Sequence, residues 1–407
     1  GRQTAQRDLA GRVRRQTLVT PEGKGAYFYF SYKMPGYDTT DLLRGEVGRS
    51  GPTQTSPAVV ELSVWHNSQN RERLRVWREL TTNKNRERLE LRYQDQGLVE
   101  WDFRTGTAPG FGFGDISATY TYDGQGQGQI VSRWTMVDSK LPGTTVSTPR
   151  DAAGSLPYAS EAVARTGTGY RPPVLGDYYA GYDGEGNLTS YVWKPQPNTA
   201  VPDASKWKLE YDHRNRLVAV TIGYYDLVAG NSSWRELTRV DYKYDTLDRL
   251  IETRVTEKST RTARDEYGRD TLRTQGEVTV TRHVYVGNTP YADLTGADQY
   301  ALRYLFGPSG QPLARADAGG PLFYLTDRQN SVLQIVNPAG QTVKRIRYEG
   351  TRVGQRGSAD PAFHDRLELG GNRSDFRTGL IYVGGHWLDG ENGRFVTEGG
   401  GGLGLNP

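Results

Sequence analysis

The sequence predicts an all-β protein built from stacked hairpins, and three observations predict it. First, a seven-residue phrase recurs. It reads Tyr182-Asp183-Gly184-Glu185-Gly186-Asn187-Leu188, then Tyr211-Asp212-His213-Arg214-Asn215-Arg216-Leu217, then Tyr244-Asp245-Thr246-Leu247-Asp248-Arg249-Leu250. Tyr122-Asp123-Gly124, closing at Ile130, is a looser copy. The clear copies stand 29 and 33 residues apart. Repetition at that interval marks an array in which each unit leans on its neighbour. Second, hydrophobic residues make up only 35% of the chain, yet it carries 26 Tyr, 8 Trp and 10 Phe. A disordered chain of that polarity would be poor in aromatics. Third, β-branched and aromatic runs alternate with Gly and Asp clusters, as strands alternate with turns. Such a composition suits a sheet wetted on both faces, with little dry core.

In chain order, Asp8-Leu9-Ala10-Gly11-Arg12-Val13 is already repeat-like. The chain is therefore expected to be a piece of a longer protein, with any targeting segment elsewhere. Residues 27–33 form an aromatic strand. Segment 66–92 admits a helix, but Leu74, Val76, Trp77 and Leu80 give only a partial helical face. Residues 85–93 then alternate leucine with charge, which favours strands. Phe111 and Phe113 interleaved with Gly110, Gly112 and Gly114 read as a loop or a close-packed strand. Residues 119–123 alternate as a strand. Gly124, Gly126 and Gly128 resemble a phosphate loop only in spacing, since no helix pattern comes after them. Segments 140–176 and 194–206 read as inserted loops, and 278–286 as a strand.

The repeated phrase has its own mechanism. The aspartate side chain can bond backbone N–H groups two residues on. A Gly or Asn then takes the position needing positive φ, and the leucine opens the return strand. One such hairpin is not stable alone in water.

The formal charge is +4, with 51 basic and 47 acidic residues scattered along the chain. No basic block marks a nucleic-acid surface. No apolar run reaches the roughly 18–20 residues that cross a bilayer. The absence of cysteine excludes disulfides and thiolate metal sites. His66, His213, His283, His364 and His386 are never three or four residues apart, so no zinc site and no cofactor is expected.

From about residue 280 the phrases become specific. Tyr304-Leu305-Phe306-Gly307-Pro308 comes first, then Phe323-Tyr324-Leu325-Thr326-Asp327, then Gly379-Leu380-Ile381-Tyr382, then His386-Trp387-Leu388-Asp389-Gly390-Glu391-Asn392-Gly393-Arg394-Phe395. In this order they resemble the core module of Rhs/YD-repeat proteins, whose members include bacterial polymorphic toxins, Tc toxin C components and teneurins. The resemblance implies a YD-repeat segment over 1–279 and an Rhs-associated core over 280–407. It implies a hollow β-hairpin spiral closed at one end by that core. The structural residues would be the corners Tyr122, Asp123, Tyr182, Asp183, Tyr211, Asp212, Tyr244 and Asp245. The core motif would comprise Tyr324, Asp327, Asp389, Gly393, Arg394 and Phe395.

The family's self-cleavage motif, an Asp-Pro after the Gly-Arg-Phe phrase, is missing. Glu398 is succeeded by Gly399, Gly400, Gly401 and Gly402. Gly404-Leu405-Asn406-Pro407 resembles the stretch just after that motif in relatives, and the cleaved bond would lie beyond it. Asp375, Asp389 and Glu391 could pair for acid–base work, but the last two read as a hairpin turn. No catalytic residue is expected. The function implied is a non-enzymatic shell around the protein's own C-terminal effector, in a bacterial protein that is secreted or surface-exposed. Secretion machinery or a cell-surface glycan would be a further partner. A surface adhesin presenting loop 140–176, with tyrosines that could stack on sugars, is the rival reading. A self-cleaving aspartyl protease is the third.

Overall fold

Among the described residues, nine corners share one backbone design, at Asp8, Thr20, Asp183, Asp212, Asp245, Thr295, Gly307, Asp327 and Asn337. In each, the N–H of the first residue donates to the carbonyl four residues on, and the fourth residue donates back to the first. That fourth residue has positive φ: Gly11, Gly23, Gly186, Asn215, Asp248, Asp298, Gly310, Asn330 and Gly340. This is a type I turn ending on a left-handed residue, the commonest three-residue hairpin loop. The register slips by one residue beside most of these corners, for example at Gly181/Tyr182, Glu210/Tyr211 and Lys243/Tyr244. Asp248 takes a place where Gly or Asn was expected. Asp is among the few side chains that tolerate it.

The computed structural model describes residues 2–9, 11–32, 43–66, 71–80, 84–94, 97–105, 116–119, 130–133, 135–136, 145–148, 174–175, 178–193, 205–228, 231–259, 261–264, 270–349, 352–358, 365–391 and 393–397. The Tyr122-Asp123 copy, the glycines at 110–114 and 124–128, His364, most of segments 140–176 and 194–206, and the tail from Glu398 lie outside them. The only helical element among the described residues is a single 3-10 turn, Leu369–Gly371. No described helix is long and apolar enough to cross a membrane. Within segment 66–92, Glu72–Glu79 is a strand paired to Lys84–Gln94, with no helix among the described residues.

A ten-stranded antiparallel sheet runs from Arg2–Arg7 to Thr135–Met136. A fifteen-stranded one runs from Val174–Leu175 to Arg352–Ser358 and passes through residue 280 without a break. Both keep to chain order almost strand by strand, as joined hairpins must. A four-stranded sheet from Arg373–Ser374 to Arg394–Phe395 ends the described chain.

The long sheet curls, and two backbone bonds measure the curl. Leu188 N donates to the Val396 carbonyl at 2.8 Å, and Val353 N donates to the Gly390 carbonyl at 2.7 Å. Their strands, Leu188–Trp193 and Arg352–Ser358, are twelve steps apart in the sheet. Laid flat, twelve steps span roughly 58 Å. Residues 390 and 396 are at most about 22 Å apart even when fully extended. The sheet therefore bends round the C-terminal strands.

The sheet is not wet on both faces throughout. Leu305, Leu313, Ala314, Phe323, Leu325 and Val336 pack against Leu18, Phe28, Phe30, Leu62 and Trp77 of the ten-stranded sheet. Tyr304, Phe306, Tyr324 and Ile335 point the other way and pack with Leu367. Over 304–336 the wall is thus the middle of three layers, and Leu322-Phe323-Tyr324-Leu325 reads as a continuous apolar run, as two-sided burial demands. The interlayer contact has a polar pin, Trp77 Nε1 donating to the Thr326 carbonyl at 2.9 Å.

Candidate functional site

Three tyrosines each grip the hairpin before their own. Tyr211 Oη donates to the Leu188 carbonyl at 2.8 Å, Tyr244 Oη to that of Leu217, and Tyr285 Oη to that of Leu250 at 2.9 Å. Each acceptor leucine opens a return strand, so the hydroxyl fixes neighbouring hairpins at the corner where both begin. A second ladder runs outside it. Asn187 Nδ2 reaches Asn215 Oδ1 at 3.2 Å, Arg216 Nη1 reaches Asp248 Oδ1 at 2.9 Å, and Arg249 Nη1 reaches the Gly287 carbonyl. The residue four after each aspartate thus touches the next corner. Asp212 and Asp245 hold their own loops through two backbone N–H groups and an arginine each. Those bonds overcome the upward push of desolvation and lower both carboxyl pKa values. Asp183 does the same job through Asn187. Tyr182, half-buried, packs on the cluster formed by Leu188, Leu217, Leu250, Tyr382 and Trp387.

The motif residues of the C-terminal block divide into turns and buried anchors. Tyr324 is fully buried and donates to Asp365 at 2.9 Å. Asp327 accepts from Gln329 N and Ser331 N at 2.8 Å. Burial outweighs those bonds and pushes its pKa up to about 6. Asp389 accepts from Glu391 N and Gly393 N, Gly393 having φ +65°, so these acids form a turn. Arg394 pairs in register with Asp389, and Phe395 stands edge-on to His386. Asp375 accepts from Tyr242 Oη at 2.8 Å.

Sequence reasoning missed a buried polar cluster. His283 lies directly opposite Asp293 in the sheet. Its Nδ1 is 2.7 Å from Asp293 Oδ1, and its Nε2 is 3.0 Å from Thr253 Oγ1. Arg373 Nη1 and Tyr304 Oη also donate to Asp293, at 2.7 and 2.8 Å. Desolvation and the Arg373 charge lower the His283 pKa to about 4, so the ring is neutral at neutral pH. Burial alone would raise Asp293, but Arg373 and His283 hold it well below the usual carboxylate range. A hydroxyl–imidazole–carboxylate row usually suggests nucleophilic catalysis. Here the carboxylate is also clamped by a guanidinium and a phenol, and the row ties three strands to the C-terminal block. Of the other histidines, His213 sits exposed at a corner tip and His386 lies 3.1 Å from Thr397 Oγ1. Among the described residues no three His, Cys, Asp or Glu side chains gather around a metal position. The only hint in the sequence was the alternation of residues 278–286, which puts His283 on the same inward face as Thr281.

The family model of the teneurin YD-shell matches residues 177–400. Among solved structures, a Photorhabdus luminescens Tc holotoxin pore with a TccC3 mutation aligns with a TM-score of 0.52 at 15% identity, over 99% of this chain and 20% of that one. A crystal structure of TcdB2-TccC3 aligns at 0.46 and 15% identity, over 99% of this chain and 21% of that one. This chain spans about a fifth of the length of those it matches. No curated protein matches it.

Proposed function

The chain belongs to the teneurin YD-shell family, and from that premise we propose that it is a stretch of wall that encloses and protects a polypeptide carried by the same protein. The observation that carries this reading is the curl of the fifteen-stranded sheet, pinned where Leu188 meets Val396 and Val353 meets Gly390. A sheet bent that far separates an inside from an outside. Strands paired on both sides also leave few edges for stray chains to join. The role is mechanical and non-catalytic, in a secreted or surface-exposed protein, and the effector after the core is its partner. The toxin named in the Photorhabdus structure is in keeping with a toxin-borne shell.

The test is protease digestion of the intact natural protein, with the products read by mass spectrometry. The expected result is that the carried sequence resists cleavage until urea opens the wall. Cleavage of that sequence at the rate of the isolated peptide would refute enclosure. Binding to glycans or cell surfaces by an unenclosing protein would favour adhesion instead.

A further inference from the structure

The ten-stranded and fifteen-stranded sheets share no strand. The chain passes from one to the other between Met136 and Val174, and no described strand lies there after Thr148. Side-chain contact therefore holds the two sheets together, as it holds two subunits. That contact is dry. Leu18, Phe28 and Trp77 on one side and Leu305, Phe323 and Val336 on the other are each 1% exposed or less. The rings of Phe28 and Phe323 lie 6.0 Å apart, tilted by 50°. An apolar core of this kind, resembling a domain core cut in half, marks obligate interfaces.

Hydrogen bonds to backbone frame the dry core. Lys24 Nζ donates to the Ala318 carbonyl at 2.7 Å. Trp77 Nε1 and Arg75 Nη1 donate to the Thr326 carbonyl at 2.9 and 3.4 Å. From the other side, Arg303 Nη1 reaches the Val19 carbonyl at 3.5 Å. Each of these carbonyls sits where a strand meets its turn, so the contact recognises hairpin ends in their folded shape. One corner is fitted tightly to the other sheet. Gly340 has φ +76°, and a Cβ there would come within 2.4 Å of the Glu79 carboxyl, which belongs to a side chain with no exposed surface. Gly310 has φ +75° at an equivalent corner, and a Cβ there meets nothing within 4 Å. Backbone strain is the same at the two glycines, and of the two only Gly340 has the other sheet against it.

We propose that the apolar face over 305–336 is a self-sufficient docking surface for this chain's own ten-stranded sheet, so that the two sheets stay joined when the link between residues 149 and 173 is cut. The association does not depend on what the wall encloses, so it can fail while protection of a carried sequence holds, and the reverse. In the test, a specific protease sequence replaces residues 155–161 of the 407-residue chain, or residues 163–169 should the first variant not fold. The folded protein is cut to completion and its mass is followed by sedimentation across a urea series. One species with the mass of the uncut chain is expected without urea. The cut Gly340→Ala protein should separate at lower urea than the cut Gly310→Ala protein, corresponding to an association weaker by roughly tenfold or more, the scale of overpacking at a fitted contact. If Gly340→Ala does not fold, Trp77→Phe reads the same seam, since it keeps a ring and loses the bond to the Thr326 carbonyl, and it too should separate at lower urea than Gly310→Ala. Separation of the pieces without urea, or equal urea midpoints for the seam variant and Gly310→Ala, would overturn the proposal. A species of twice the mass would assign the covering sheet to a second copy and overturn docking within one chain.

Discussion

Replacing Tyr244 by Phe removes a single oxygen and tests the inner ladder directly. That oxygen donates to the Leu217 carbonyl and accepts from Trp387 Nε1 at 2.7 Å. Trp387 is 1% exposed, so its indole N–H would be left buried without a partner. An unsatisfied buried donor costs about 1–3 kcal/mol, and the lost bond at the carbonyl about 0.5–1.5 kcal/mol. The ring still fills its place between Tyr382 and the Arg216 guanidinium, so no cavity term is added. The sum is about 1.5–4.5 kcal/mol. Hydrogen exchange read by mass spectrometry should show strands Leu217–Val228 and His386–Asp389 opening roughly tenfold faster or more, while Arg2–Arg7 with Val13–Val19 is unaffected. Tyr300→Phe, at a half-exposed ring, is the control and should change nothing measurable. Exchange in Tyr244→Phe equal to wild type across both strands would show that the hydroxyl does not couple neighbouring repeats.

Three further outcomes are expected. Tyr211→Ala or Tyr244→Ala should cost about 3–5 kcal/mol in a urea titration, the range for a buried aromatic, and a loss near zero at both would refute packing between repeats. Gly310→Ala should cost about 1–2 kcal/mol although a Cβ there meets nothing within 4 Å, because φ is +75°; an unchanged midpoint would mean that corner tolerates another conformation. Glu368 has its pKa lowered to about 2: burial pushes it up, but Arg356 and Lys344 more than offset that. Its folded value lies below the unfolded 4.5, so its contribution is complete above pH 4.5 and disappears as pH falls towards 2. That contribution is on the order of 3 kcal/mol. Glu368→Gln should flatten the stability profile between pH 2 and 4.5 and destabilise the protein at pH 7, since Lys344 is left buried without its carboxylate; a slope identical to wild type would contradict the pairing.

How much of this was legible depends on where the information sits. The corners signalled themselves wherever Tyr preceded Asp, because two side chains with separate jobs stood together: one caps the previous leucine and the other folds the loop. The corners starting at Thr295, Gly307 and Asn337 have the same backbone. Thr295 gives one long side-chain bond and Gly307 none, Asn337 accepts two backbone N–H bonds as the aspartates do, and no tyrosine precedes any of the three, so nothing in the sequence flagged them as repeats. The buried cluster was invisible for another reason. His283 and Asp293 are ten residues apart and meet only because a hairpin folds them together, while Arg373 arrives from 80 residues further on. No local pattern encodes that meeting.

The composition misled in a specific way. A 35% hydrophobic content averages two kinds of wall. The corners and outer repeats are rich in Arg, Asp and Glu because each loop is tied to the next by ions and amides at the surface. Between 304 and 336 the strands carry short apolar runs, such as Tyr304-Leu305-Phe306 and Leu322-Phe323-Tyr324-Leu325, because the ten-stranded sheet covers one face and the C-terminal block the other. Period-2 alternation distinguishes the faces even there: Leu305, Phe323, Leu325 and Val336 face one layer, and Tyr304, Phe306, Tyr324 and Ile335 face the opposite one. The polar atoms on the second set are the tyrosine hydroxyls, and Tyr304 and Tyr324 each end on a buried aspartate, Asp293 and Asp365. Tyrosine serves this face because it fills an apolar layer with its ring and places one donor at a fixed depth beyond it. A phenylalanine at either position would pack equally well and leave the aspartate short of a donor. The wall is therefore sealed by packing on one side and positioned by hydrogen bonds on the other, and the same residue type also joins the repeats at their corners.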